Sequence, residues 1–166
     1  MVGLIFSLLF ALVQQWPEPG KVVSTVDKAE DFSSIRSFAW ERGIEAADRE
    51  AHKLILAAIE AELAARGIKL AADTQSAEVI VRYDGLASDP VNLDELRRRS
   101  MKDPNAVPPT QVLGSLAISM HRNRRTTQMW TAHARELVDA SPGARDASIK
   151  KIVARVFETY PKRPTP

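Results

Sequence analysis

The chain has 166 residues, 45% of them hydrophobic and 27% charged, which suits one packed domain and excludes a disordered or fibrous protein. Lys and Arg number 23 against 21 Asp and Glu, and a net charge of +2 gives no sign of a nucleic-acid partner. The absence of cysteine excludes disulfide scaffolds, thiolate metal sites, cysteine nucleophiles and a lipidated cysteine.

Residues 1–17 carry no charged side chain, and Val2 to Val13 is an apolar run broken only by Gly3 and Ser7. A run of this length falls short of the roughly 20 residues a membrane-spanning helix needs. It fits the apolar core of a secretory signal peptide. No Lys or Arg precedes it, and Ala11 is the one small residue well placed for cleavage. A retained apolar anchor and a buried helix or strand of the domain are the other readings. Trp16-Pro17-Glu18-Pro19-Gly20 then breaks regular structure. The signal-peptide reading makes the protein exported, periplasmic or associated with the cell envelope, and without a lipid anchor.

From residue 21 to residue 161 the pattern is that of a single α+β domain. Val22 to Val26 is a β-branched run, and Arg36 to Trp40 places Phe38 and Trp40 on one face; both read as strands. Asp48 caps a predicted helix with Leu54, Ile55, Ala58, Ile59 and Leu63 on one stripe, closed by Arg66-Gly67. His52 lies among polar neighbours and is expected on that helix's solvent side. Ala77, Val79, Val81 and Tyr83 alternate with Glu78, Ile80 and Arg82 as a third strand. Residues 84–110 read as an irregular connection, punctuated by Pro90, Pro104, Pro108 and Pro109; so long a connection is usually functional or mobile. Val112 to Met120 and Thr126 to Val138 form a predicted hairpin turning at His121 to Arg125. Symmetric pairing about that turn sets His133 beside Gly114. A last helix, capped by Asp146, carries Ile149, Ile152, Val153, Val156, Phe157 and Tyr160 as a full apolar stripe. Residues 162–166 read as a disordered tail. The layout β-β-α-β-β-β-α predicts a mixed or antiparallel five-stranded sheet with both helices on one face.

Few residues offer chemistry. His52, His121 and His133 do not converge in this layout, and zinc needs three or four ligands that do. No HExxH, GxSxG or glycine-rich phosphate loop occurs, so no catalytic residue, metal or cofactor is assigned. Phe32, Phe38, Trp40 and Trp130 read as core, and Asp31 with Ser33 as a turn before a strand. Two basic clusters remain: Arg97-Arg98-Arg99 in the long connection, and Arg122, Arg124 and Arg125 at the hairpin tip. They serve either solvation and protection of sheet edges or an anionic partner, namely lipid headgroups, an acidic glycan or an acidic face of an envelope protein.

Several segments together resemble one family. Asp31-Phe32-Ser33-Ser34-Ile35-Arg36-Ser37-Phe38-Ala39-Trp40 resembles its opening signature. Ala58 to Gly67 is similar to its first helix, Ser76 to Tyr83 to its next strand, and Trp130-Thr131-Ala132-His133-Ala134 and Val156 to Pro161 to its last strand and helix. The family is DUF4136, and the resemblance implies a bacterial envelope protein, often a lipoprotein, of unassigned function. It spans roughly residues 22–161. The chain departs from the family in lacking the lipobox cysteine. It also has Arg122-Asn123-Arg124-Arg125-Thr126 where the family usually has Asp-x-x-Thr-Gly, and a long loop poor in Gly and Tyr. The family supplies no catalytic residues to carry over. The expectation is an exported, non-enzymatic binding or scaffolding domain of undetermined oligomeric state. The alternative is a hydrolase or ligand-binding enzyme with residues 84–110 as a lid; a deep pocket at Tyr83, Asp84, Asp89 or His121 would favour it.

Overall fold

The computed structural model describes residues 17–86, 111–139, 141 and 143–162. The apolar leader up to residue 16, the connection from 87 to 110 with Asp89 and Arg97, Arg98 and Arg99, and the tail beyond 162 lie outside the described residues.

Six strands form one mixed sheet in the order β1-β6-β5-β4-β2-β3. They are β1 (Lys21–Val26), β2 (Ser37–Trp40), β3 (Lys69–Leu70), β4 (Val79–Leu86), β5 (Gln111–Arg122) and β6 (Gln128–Asp139). The helices are α1 (Arg49–Ala65) and α2 (Arg145–Phe157). The α+β expectation holds, and the mixed sheet has a sixth strand, β3. Two residues are too few to show alternation, and β3 exists only because it pairs in parallel with Ser37 and Phe38. The pair β2–β4 is also parallel, whereas β4–β5, β5–β6 and β1–β6 are antiparallel. Parallel neighbours need a crossover, and α1 makes the one from β2 to β3.

Local chemistry fixes the ends of these elements. Asp31 accepts from the Ser33 N–H at 2.9 Å and closes a single 3-10 turn ahead of β2. Asp48 accepts from Glu50 and Ala51 N–H at 2.8 and 3.0 Å, as its place before α1 predicts. Gly67 takes φ +72°, the left-handed conformation that ends α1. The start of α2 differs from expectation. Ala144 occupies the cap position without a side-chain bond, and Asp146 lies inside the first turn, paired with Lys150 at 2.9 Å. Its charge there still complements the positive end of the helix.

One apolar layer fills the space between sheet and helices. Phe38, Val79, Val81, Ile118, Met120 and Trp130 from the sheet meet Ile59, Leu63, Val153, Val156 and Phe157 from the helices, all nearly inaccessible. Trp130 is 0% exposed and lies 5.3 Å from Phe157 and 5.2 Å from Tyr160, centroid to centroid. Its Nε1 has no hydrogen-bond partner among the described residues, so it acts through packing alone. Ala39, Ala77 and Ile80 form a small second cluster.

The hairpin register departs from symmetric pairing. The connection reaches Thr127, and an irregularity follows Met120: Met120 pairs with Trp130 but His121 with Gln128. Met129 is thereby left over and buried. His133 consequently stands opposite Ala117 rather than Gly114.

Beyond β2 the chain crosses β4 closely. A Cβ on Gly43 would stand 2.0 Å from the Tyr83 carbonyl oxygen, closer than any real contact. Replacement of Gly43 by Ala is therefore expected to displace the 41–44 segment and lower the urea midpoint. Ile59→Ala is expected to cost about 2–5 kcal/mol. Equilibrium urea unfolding measures both, and a loss under about 1 kcal/mol for Ile59→Ala would contradict the packing described.

Candidate functional site

The hairpin tip divides its three arginines. Arg122 is drawn inward, with Nε 3.0 Å from Glu30 Oε2 and Nη2 donating to the Asp31 carbonyl at 3.0 Å and Ser34 Oγ at 3.3 Å. It ties the family's opening signature to the hairpin, which is a structural task. Arg125 touches the same carboxylate at 3.4 Å but remains 70% exposed. Arg124 occupies the turn with φ +65° and is exposed, with no ion pair among the described residues. Asn123 clamps the tip, donating to the carbonyls of Thr74 and Ala77 at 2.7 and 2.8 Å. Of the tip arginines, Arg124 and Arg125 therefore face outward. Arg97, Arg98 and Arg99 lie outside the described residues.

A second cluster joins α1 to the sheet. Trp40 Nε1 donates to Glu60 Oε1 at 3.0 Å, and the Trp40 and Tyr83 rings meet edge-on at 6.3 Å. The Tyr83 hydroxyl contacts His52 Nδ1, and the two rings are 5.7 Å apart. His52 is thus half-buried rather than on the solvent side of α1. The signal lay in spacing: His52 precedes Ile55 by three and Ile59 by seven, on the border of the buried stripe. Burial pushes the Tyr83 hydroxyl above the ordinary phenol range.

The helix-free face of the sheet carries the remaining candidates, each with a partner. Asp84 binds Arg82 at 3.0 Å and accepts from the Ile44 N–H at 2.7 Å. His121 Nδ1 lies 2.9 Å from the Arg122 carbonyl, and its Nε2 is 3.8 Å from Glu41. His133 is half-buried, and burial holds its pKa below the ordinary histidine value, partly opposed by the Asp84 charge. Among the described residues no three His, Asp or Glu converge as a metal site. No described helix is long and apolar enough to cross a membrane.

One recess opens between the two helices and the adjoining ends of β4, β5 and β6, with a volume of about 230 Å³. Ile55, Leu116, Val138, Ile149, Ile152 and Val153 give it an apolar wall. Among the described residues Asp48 is its one charged liner, and its carboxylate is occupied by the α1 cap and by Arg145 at 2.9 Å. These bonds, that to the Ala51 N–H first, hold the Asp48 carboxyl below the usual range. Tyr83, Asp84 and His121 do not line this recess.

The architecture is that of an α+β domain whose helices cover one face of a mixed sheet. The chain belongs to the DUF4136 family, described as a domain of unknown function, which matches residues 22–162. A DUF4136 family protein from Bacteroides thetaiotaomicron shares the fold at TM-score 0.54 and 17% identity, covering 83% of this chain and 94% of that one. PelC from Paraburkholderia phytofirmans, solved as a dodecamer, superposes at TM-score 0.55 and 14% identity over 83% of this chain and 96% of its own. A PDZ domain protein from Parabacteroides distasonis matches at TM-score 0.55 and 18% identity over 85% of this chain but only 36% of its own length. No curated protein matches the chain.

The histidine on the open face makes stability depend on pH. Because the folded state disfavours protonated His133, its contribution is complete above the unfolded value of about 6.5 and is lost as the pH falls through the lower folded value. His133→Gln is therefore expected to reduce the decline of Tm between pH 7 and pH 5. An unchanged Tm profile from differential scanning calorimetry would contradict this.

Proposed function

We propose that this chain is an exported cell-envelope domain that binds or scaffolds a partner and catalyses no reaction. The observation that carries the reading is the occupation of its ionisable side chains. Glu78 holds the Arg36 and Ser37 N–H groups at the entry to β2. Asp84 fixes the 41–44 segment, Glu30 fixes Arg122, and Asp48 caps α1. Groups so engaged organise backbone, whereas general acid–base work needs a side chain facing a space where substrate can sit. In the apolar recess between the helices the one ionisable liner among the described residues, Asp48, is likewise engaged, by the α1 cap and by Arg145. The uncharged first 17 residues support export.

The surface for the partner centres on Arg124 and Arg125, with Arg97, Arg98 and Arg99 as the second basic group. Its chemistry suits an anion: a lipid headgroup, an acidic glycan or an acidic protein face. Arg122 supports this surface without belonging to it. The dodecameric state of PelC makes self-assembly a natural part of a scaffolding role here.

Two measurements test the proposal. Mass spectrometry of protein recovered from an exporting host is expected to find a mature N-terminus near residues 14–18; a chain starting at Met1 in the cytosol refutes export. Sedimentation with phosphatidylglycerol vesicles is expected to show binding that weakens as salt rises. Arg124→Ala and Arg125→Ala should each reduce it about fivefold, as a loss of about 1 kcal/mol per arginine requires. Absent or salt-independent binding removes the anionic-lipid form of the proposal.

A further inference from the structure

Among the described residues the outer edge of β1 is open. β1 ends the sheet, and only β6 pairs with it among the described residues. Asp27 N–H donates to the Met129 carbonyl, and the register with β6 steps back from there. By the alternation of an antiparallel ladder, the backbones of Val23 and Thr25 then point inward to β6. Those of Val22, Ser24 and Val26 point outward, away from the sheet.

Natural edge strands are usually defended against pairing by charge, proline or a bulge. Residues 22–26 read Val-Val-Ser-Thr-Val and contain none of these. Val23 is 54% exposed. Such a strand suits a partner strand, and the charges at its two ends specify which one. Lys21 stands at the start of β1, and Asp27 follows its last residue.

The geometry points to a second copy of this chain, paired β1 to β1 in antiparallel about a two-fold axis at Ser24. In that register Ser24 faces Ser24 and Val22 faces Val26, and these are the residues whose backbones point outward. Val23 then faces Thr25, and Lys21 faces Asp27 at both ends of the ladder. The two charged residues share the helix-free face with Val23, in positions where side chains across an antiparallel pair come closest. Val22 and Val26, already packed against the core, extend the apolar layer across the junction. The contact is isologous and closes on itself, so it produces a dimer with one continuous sheet. It is independent of export and of the arginine surface, so either can fail alone.

Size-exclusion chromatography with light scattering, on the chain as an exporting host delivers it, is expected to give twice the mass of the chain. Ser24→Pro removes an outward N–H and no bond to β6, and should leave a monomer with unchanged circular dichroism. Lys21→Asp should weaken the dimer about tenfold by placing like charges opposite at both ends, and adding Asp27→Lys should restore it. The chain has no cysteine, so Ser24→Cys can cross-link only to itself. Opposed Cα atoms about 5.5 Å apart are within disulfide reach, and rapid oxidation to a covalent dimer is expected. Glu50→Cys, exposed on α1, should stay unlinked under the same conditions. A monomeric wild type, or any assembly that Ser24→Pro leaves intact, overturns the inference. Failure of Asp27→Lys to rescue Lys21→Asp overturns the register.

Discussion

The structure depends on the aromatic knot in which Trp130 is closed between the sheet and the end of α2. Phe157 and Tyr160 lie against its ring, and Phe32 meets Tyr160 edge-on at 5.5 Å. The Arg66 guanidinium stands 5.0 Å from the Phe157 ring centre and donates to the Phe157 carbonyl at 3.0 Å. Four distant parts of the chain therefore meet at one point: the turn before β2, the end of α1, the start of β6 and the end of α2. Aromatic rings of this size contribute large buried areas, and their contacts are directional enough to hold the helices in register. Phe32 and Trp130, which the sequence pattern reads as core, are among the residues that close this interior.

Once one face of the sheet is sealed in this way, the polar residues around it take on a common task. Parallel strands and a long hairpin meet at β4, leaving backbone N–H groups at its margins without ladder partners. Carboxylates supply those partners: Glu78 at the entry to β2 and Asp84 at the 41–44 segment. Glu30 plays the same part for the hairpin through Arg122. Groups held this way keep the fold closed. The proposed binding role therefore rests on surfaces: the outward arginines at the hairpin tip and the edge of β1, which is open among the described residues.

Much of this was legible in the chain because it rests on local rules. The apolar stripes of both helices, the Asp48 cap, the Gly67 stop and the alternating strands each follow from residue spacing that survives folding unchanged. The core role of Phe32, Phe38 and Trp130 followed from their size and pattern. What failed to show had a nonlocal cause. Strand β3 has no pattern of its own, and the longer connection together with the irregularity after Met120 moves His133 by three partners. Three arginines looked alike in sequence, yet only the fold brings Glu30 to Arg122 and separates it from Arg124.

The amino-acid sequence alone determined the fold class, the family, the ends of α1 and the aliphatic and aromatic content of the interior, because periodicity and capping act within a few residues of each other. Tertiary structure decided the strand order, the hairpin register, the burial of His52 against Tyr83 and the division of the basic residues. Those features join residues tens of positions apart, and the free energy that selects them comes from packing between elements that no single segment contains.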